Sequence, residues 1–188
     1  MTAGTATADT AGVVTVEEVK RELRTEDYSG HDDTVEAQIA AAAAFVGGEI
    51  GVPLADAHST VRARPETGNR PIVFDARGLK RVDRVRYWTP AAELRDDPDG
   101  AIEAAEFGRT VRAGRLGRGH GLYPPAAGWP DVLPGSLLDV EVVRGVDAGD
   151  LPALKQAVIM CVRQLYGGHR EIRPTEAFYA LIAPWQPL

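Results

Sequence analysis

The sequence has a single cysteine, Cys161, and this scarcity sets the first limits on the protein. One thiol cannot form an intrachain disulfide, and it has no CxxC partner for a redox or zinc motif. We therefore expect the chain to fold in a reducing compartment, the cytosol. The four histidines lie far apart and form no HxxxH or HExxH pattern, so we expect no metal site. They are His31, His58, His120 and His169.

Catalytic and nucleotide-binding motifs are also missing. The chain contains no GxSxG, no P-loop and no dinucleotide fingerprint. Its glycine-rich stretch GRGHG, residues 117–121, lacks the lysine of a P-loop and has no predicted helix after it. We therefore expect no cofactor and no enzyme activity.

Long apolar runs are absent as well. No run approaches the roughly 18–20 residues that a membrane span needs, so we expect no membrane association. Residues 1–12 lack the basic start and apolar stretch of a signal peptide. Their small residues predict a disordered tail.

The charge is moderate and unevenly distributed. The formal net charge is -6, and the first 50 residues carry ten acidic against three basic side chains. The rest of the chain is therefore close to neutral. Such a protein is not expected to bind nucleic acid through its overall charge.

Helical patterns occur at both ends of the chain. Thr15 and Glu18 have the spacing of a capping box, with Val14 and Val19 as a hydrophobic staple, which predicts a helix at about residues 16–25. A second helix is expected from residue 32 or 33 to about Gly51. Its predicted apolar stripe consists of Val35, Ile39, Ala42 and Val46.

The pattern between residues 59 and 149 is different. Prolines and glycines interrupt short β-branched runs, and residues 137–143 alternate between apolar and acidic side chains, as in a strand. We therefore predict an α+β fold, with a small bundle of about four helices from both chain ends and a β-rich insertion of roughly 90 residues. The predicted division is residues 1–12 as tail, 13–58 and 150–188 as helical core, and 59–149 as insertion.

The third predicted helix, near residues 151–166, contains five consecutive apolar residues. They are Val158, Ile159, Met160, Cys161 and Val162. A helix with one solvent-facing side has no need for such a run. Either the helices of the same chain cover it, or Ile159 and Met160 contact a neighbouring copy. A last short helix is predicted to begin near Pro174 or Thr175.

One basic segment is a candidate contact site. Within residues 109–118, arginines recur at every third position. We call this the arginine segment; it contains Arg109, Arg112, Arg115 and Arg118. A solvated loop, a protein contact and a contact with DNA phosphates are all compatible with this pattern.

Three blocks of sequence resemble the head–tail connector (adaptor) family of long-tailed bacteriophages and gene transfer agents. The first is VTVEEVKRELR at residues 14–24, followed by DD at 32–33 and GVPL at 51–54. The second is VDRVRYW at 82–88, with LYP at 122–124 and WP at 129–130. The third is LPALKQAVI at 151–159, with LY at 165–166 and ALIAPW at 180–185.

This resemblance implies a structural protein of the particle neck, assembled in the bacterial cytoplasm. It implies a ring, typically of twelve copies, between the portal protein and the next neck or tail-completion protein. DNA would pass through the lumen without sequence-specific binding. The helix surface near Ile159, Met160 and Arg163 would meet either the adjacent subunit or the helices of the same chain. The residues implied to dock on the portal are Phe178, Tyr179, Leu181, Ile182 and Trp185. The alternative is a small DNA-binding or packaging-regulatory protein that uses the arginine segment.

Overall fold

The computed structural model describes residues 13–25, 30–66, 70–91, 96–107, 110–113, 119–147, 149 and 151–186. The chain divides into two compact units. The β unit is Ala57–Arg144, and the helical unit combines the segment that ends at Asp56 with the segment that starts at Gly145. The described residues contain four α-helices and seven strands, which confirms the predicted α+β fold. The predicted tail, residues 1–12, lies outside the described residues.

Helix α1, Val16–Leu23, begins as its sequence predicts. The Glu18 amide donates to the Thr15 hydroxyl at 3.2 Å, and the Thr15 amide donates to the Glu18 carboxylate at 2.9 Å. This capping box satisfies two amides that a helix start otherwise leaves unpaired. Val14 and Val19 are both buried. The helix ends at Arg24, whose left-handed conformation (φ 58°) closes the last turn.

Helix α2, Asp32–Ile50, buries one side and leaves a side of small residues exposed. All four residues of its predicted stripe are buried, together with Ala43 and Ile50. The alanine run is therefore divided between core and surface: Ala42 and Ala43 are buried, and Ala40, Ala41 and Ala44 are exposed.

Gly51, at φ 69°, ends the helix by donating its amide to the carbonyls of Gly47 and Gly48.

Helices α3, Leu151–Tyr166, and α4, Glu176–Ile182, complete the helical unit. The buried side chains of α3 are Leu154, Ala157, Val158, Ile159, Cys161 and Val162. From α4, Phe178 and Ile182 enter the same core. Thr175 caps the start of α4, close to the predicted start near Pro174 or Thr175, because its hydroxyl accepts a hydrogen bond from the Phe178 amide. Fully buried side chains such as Leu154, Val158 and Ile182 each contribute about 1.5–3 kcal/mol to folding.

The β unit contains two antiparallel sheets. The four-stranded sheet has the order β1-β7-β3-β4 and the three-stranded sheet β2-β6-β5. The strands are β1 Ala57–Ala63, β2 Ile72–Asp75, β3 Leu79–Tyr87, β4 Gly100–Glu103, β5 Thr110–Ala113, β6 Gly119–Leu122 and β7 Leu138–Arg144.

Strand β7 holds the larger sheet together, because it pairs with β1 on one side and β3 on the other. The alternation at residues 137–143 predicted this strand and its two faces: Leu138, Val140 and Val142 are buried, whereas Asp139 and Glu141 are partly exposed. The buried side chains join Ile72, Phe74 and Leu122 of the smaller sheet in one core. The β unit therefore has its own hydrophobic core, separate from that of the helices.

Gly47 and Gly48, in the last turn of α2, allow the packing at the end of this helix to be tested. A Cβ at Gly48 would meet nothing within 4 Å, whereas a Cβ at Gly47 would lie 3.2 Å from the Val52 carbonyl oxygen. We expect Gly48→Ala to raise the free energy of unfolding by about 0.5–1 kcal/mol, since alanine restricts the unfolded chain and favours helix. Gly47→Ala should give a smaller gain or a loss. Urea denaturation of both variants measures this, and a larger gain from Gly47→Ala would contradict the geometry.

Candidate docking surfaces

The only cysteine is unsuited to catalysis. Cys161 is buried in the helical core, and this burial, followed by the charge of Glu49, raises the pKa of its thiol to about 11. The thiol is therefore protonated at neutral pH and is a weak nucleophile.

In the part of the chain that the structure describes, no three His, Cys, Asp or Glu side chains are grouped as metal ligands. No helix within these ranges has both the length and the apolar character to cross a bilayer.

Two charged contacts attach α1 to α3. Lys155 donates to the Glu18 carboxylate at 2.9 Å, and Arg163 donates to the Glu22 carboxylate at 2.7 Å. The hydrogen bond from the Thr15 amide, followed by the one from Lys155, lowers the pKa of Glu18. Glu18 therefore both caps α1 and binds it to α3. Because these side chains are partly exposed, each pair contributes only about 0–1 kcal/mol.

The three predicted subunit contacts on α3 lie against the helical unit itself. Ile159 is buried, Met160 is partly buried against the core, and Arg163 forms an ion pair with Glu22 of α1. The apolar run of α3 is thus covered largely by helices of the same chain. Contact of these residues with a neighbouring copy stays a prediction, and only Met160 and Arg163 retain surface for it.

The predicted portal-docking residues divide into buried and accessible side chains. Phe178 and Ile182 are almost fully buried, and the Phe178 ring lies 5.8 Å from that of Phe45 in α2. Tyr179, by contrast, is 40% exposed, and its ring packs edge-on against Phe178 at 5.5 Å. Leu181 and Trp185 are partly buried against the core. A partner would therefore reach this segment through its outer side chains, chiefly Tyr179.

Most of the arginine segment lies outside the described residues, including Arg109, Arg115 and Arg118. The backbone of Arg112 is described: it lies in β5, paired with His120 of β6. A contact of this segment with DNA or protein stays a prediction.

The connection between α3 and α4, residues 167–175, is a basic surface that the sequence prediction did not single out. We call it the α3–α4 link. His169, Arg170, Glu171 and Arg173 line an open hollow of about 240 Å³ in it. The sequence did contain a signal for this surface. Gly167 and Gly168 end α3, and the basic residues that follow them would be expected at the surface, because residues just beyond a helix end usually lie there.

Solved structures of gene transfer agent particles contain chains with a similar fold. One, the neck of an empty particle computed with C6 symmetry, matches with a TM-score of 0.65 and 18% identity over 100% of this chain and 96% of that chain. Another, the neck of a native particle computed with C12 symmetry, matches with a TM-score of 0.64 and 19% identity over the same shares. A virion of a native particle gives 0.65 and 18%, over 100% of this chain and 95% of that one.

This similarity establishes the fold of the chain at full length. No protein-family model matches the sequence, and no curated protein matches it either.

Neighbouring residues of α4 allow the core and the surface to be tested separately. We expect Phe178→Ala to lower the free energy of unfolding by about 3–5 kcal/mol, because it leaves a cavity against Phe45 and the core. Tyr179→Ala should lower it by less than about 1.5 kcal/mol, because it removes a half-exposed ring and one edge-on contact. Chemical denaturation followed by circular dichroism measures both. Equal losses would contradict the assignment of inner and outer sides.

Proposed function

We propose that this chain is a structural subunit of the neck of a tailed bacteriophage or gene transfer agent particle. The observation that carries the proposal is the similarity of fold to chains of gene transfer agent necks, which covers all of this chain and at least 95% of each of those. The sequence blocks at residues 14–54, 82–130 and 151–185 resemble the same group of proteins. Fold and sequence therefore support one role.

The proposed role is mechanical and involves no catalytic step. The subunit joins the DNA-filled head to the tail by binding the portal protein on one side and the next neck or tail-completion protein on the other. It acts within the particle, which assembles in the bacterial cytoplasm. A chain of two small cores with charged outer surfaces is suited to such a role, because docking needs rigid surfaces rather than reactive groups.

We further propose that the subunits form a closed ring of twelve copies. The C12 symmetry with which one similar neck was computed supports this copy number, and the C6 symmetry of the other is compatible with it. DNA would pass through the lumen of the ring without sequence-specific contacts. The net charge of -6 supports such passage, because an acidic surface does not retain phosphate.

Docking on the portal is assigned to the outer surface of α4 and the residues after it. Tyr179 offers a half-exposed aromatic ring, and Leu181 and Trp185 offer partly buried apolar area. Aromatic side chains at such positions contribute strongly to protein interfaces. Phe178 and Ile182 would support this surface from the core rather than contact the portal.

Deletion of the reading frame in the cells that produce the particle tests the proposed role. We expect filled heads that lie apart from finished tails, because neither can form the joint. Negative-stain electron microscopy of the lysate measures this, and expression of the chain from a plasmid should restore joined particles. Normally joined particles, or a lysate without heads, would contradict the proposal. The DNA-binding alternative predicts a different result. The protein would bind DNA with an affinity that falls steeply as salt is added, and mutation of the arginine segment would abolish this binding.

Two exposed tyrosines of the helical unit test the docking surface. Tyr179 is 40% exposed on α4, and Tyr166 is 38% exposed at the end of α3. We expect Tyr179→Ala to leave the protein folded but to reduce joined particles at least about tenfold, since interface aromatics often contribute about 2 kcal/mol or more. Tyr166→Ala is the matched control and should leave joining unchanged. If both variants join heads to tails normally, α4 is not the docking surface.

A further inference from the structure

The α3–α4 link has a fixed shape although it is exposed. Gly168 adopts φ 86°, and the amides of Gly167 and His169 donate to carbonyls of the last turn of α3. The side-chain amide of Gln164 then bonds the backbone of Arg173 twice: it accepts from the Arg173 amide at 2.8 Å and donates to the Arg173 carbonyl at 3.0 Å. A surface held in this way loses little conformational entropy when it binds a partner.

The basic side chains of the link have no acidic partner among the described residues. Arg170 and Arg173 form no ion pair there, although they share the hollow with Glu171. Arg163, one turn earlier, is bound to Glu22. The hollow of about 240 Å³ is wide enough to admit carboxylate side chains from another molecule. Arginine suits this role because its guanidinium presents several donors to a carboxylate.

The start of α2 carries the complementary charge. None of the 19 residues of α2 is basic, and four are acidic. Asp32 is bound to Lys20 of α1, but Asp33 and Glu36 are exposed and have no ion pair among the described residues. Because they are three positions apart, both lie on one side of the helix. They form an acidic pair that is open to a partner.

The acidic pair and the α3–α4 link lie at the same end of the helical unit. The Arg163–Glu22 contact brings the ends of α3 and α1 together. The Lys20–Asp32 contact places the start of α2 beside the end of α1. Yet the described structure has no ion pair between the link and the acidic pair. Two complementary surfaces that do not meet within one subunit are what a head-to-tail ring requires, since each subunit uses both.

We propose that the α3–α4 link of one copy binds Asp33 and Glu36 of the next copy, and that this contact closes the ring. The inference rests on the proposed function, which supplies the ring, and adds the surfaces that form it. Charge complementarity identifies the occupant as a second copy. DNA phosphate in the hollow is the competing outcome, and the variants below distinguish the two occupants.

Paired charge reversals in the full-length protein test this contact. Arg170→Glu with Arg173→Glu makes both surfaces acidic, and Asp33→Lys with Glu36→Lys makes both basic. Each variant alone should lose self-association at least about tenfold through like-charge repulsion. An equimolar mixture should recover it, because every contact between alternating copies is again complementary. Sedimentation velocity at low ionic strength measures association, and circular dichroism verifies that each variant is folded.

Arg64→Glu with Arg70→Glu is the matched control. Both arginines are exposed in the β unit, and the change of charge is the same. We expect this variant to associate like the wild type. Failure of the mixture to recover association would overturn the proposed contact. So would loss of DNA affinity in the Arg170/Arg173 variant alone, because the hollow would then be a phosphate site.

Disulfide cross-linking within the particle tests the same contact in a protein that assembles only there. The variant with Glu36→Cys and Arg173→Cys, expressed in producing cells that lack the wild-type gene, should form a ladder of disulfide-linked multimers in oxidised particles. The buried Cys161 should not react. Particles that contain the protein without a ladder would overturn this contact but leave the proposed function intact. Wild-type particles that lack the protein altogether would overturn the proposed function itself.

Discussion

The packing of α3 against the other helices is the constraint on which the helical unit depends. The segments before and after the β unit are separated by the 88 residues Ala57–Arg144. They form one core because α3 buries Leu154, Val158 and Val162 against α2 and α4. The ion pairs to Glu18 and Glu22 then hold α1 on the same helix. The uninterrupted apolar run of α3 is explained by neighbours on several sides.

This arrangement decides which surfaces remain for partners. Because the apolar run is covered within the chain, a neighbouring copy cannot be held mainly by Ile159. Among the described residues, the accessible surfaces of the helical unit include the outer sides of α1 and α4, the exposed small residues of α2, the α3–α4 link and the acidic start of α2. A ring built through charged surfaces would be sensitive to ionic strength, in contrast to one built through an apolar seam. In this proposal, portal docking and ring closure would use different chemistry on the same unit.

The helices and the central strand could be predicted because their signals are local. Thr15 with Glu18, the α2 stripe and the alternation at residues 138–142 each specify structure over a few residues. The sequence did not distinguish the buried Phe178 and Ile182 from the exposed Tyr179. In this short helix every residue has an apolar neighbour, so no periodic pattern marks the buried side. The α3–α4 link could not be predicted for another reason: its hollow depends on the Gln164–Arg173 contact across nine residues.

The central claim is that this chain forms a ring in the neck of a particle. The most direct test is a cryo-electron microscopy reconstruction of the neck of particles from the producing cells, without imposed symmetry. The account predicts a closed ring of copies between the portal and the tail, with both the helical unit and the β unit fitted in each subunit. A neck whose density contains no copy of this fold would contradict it.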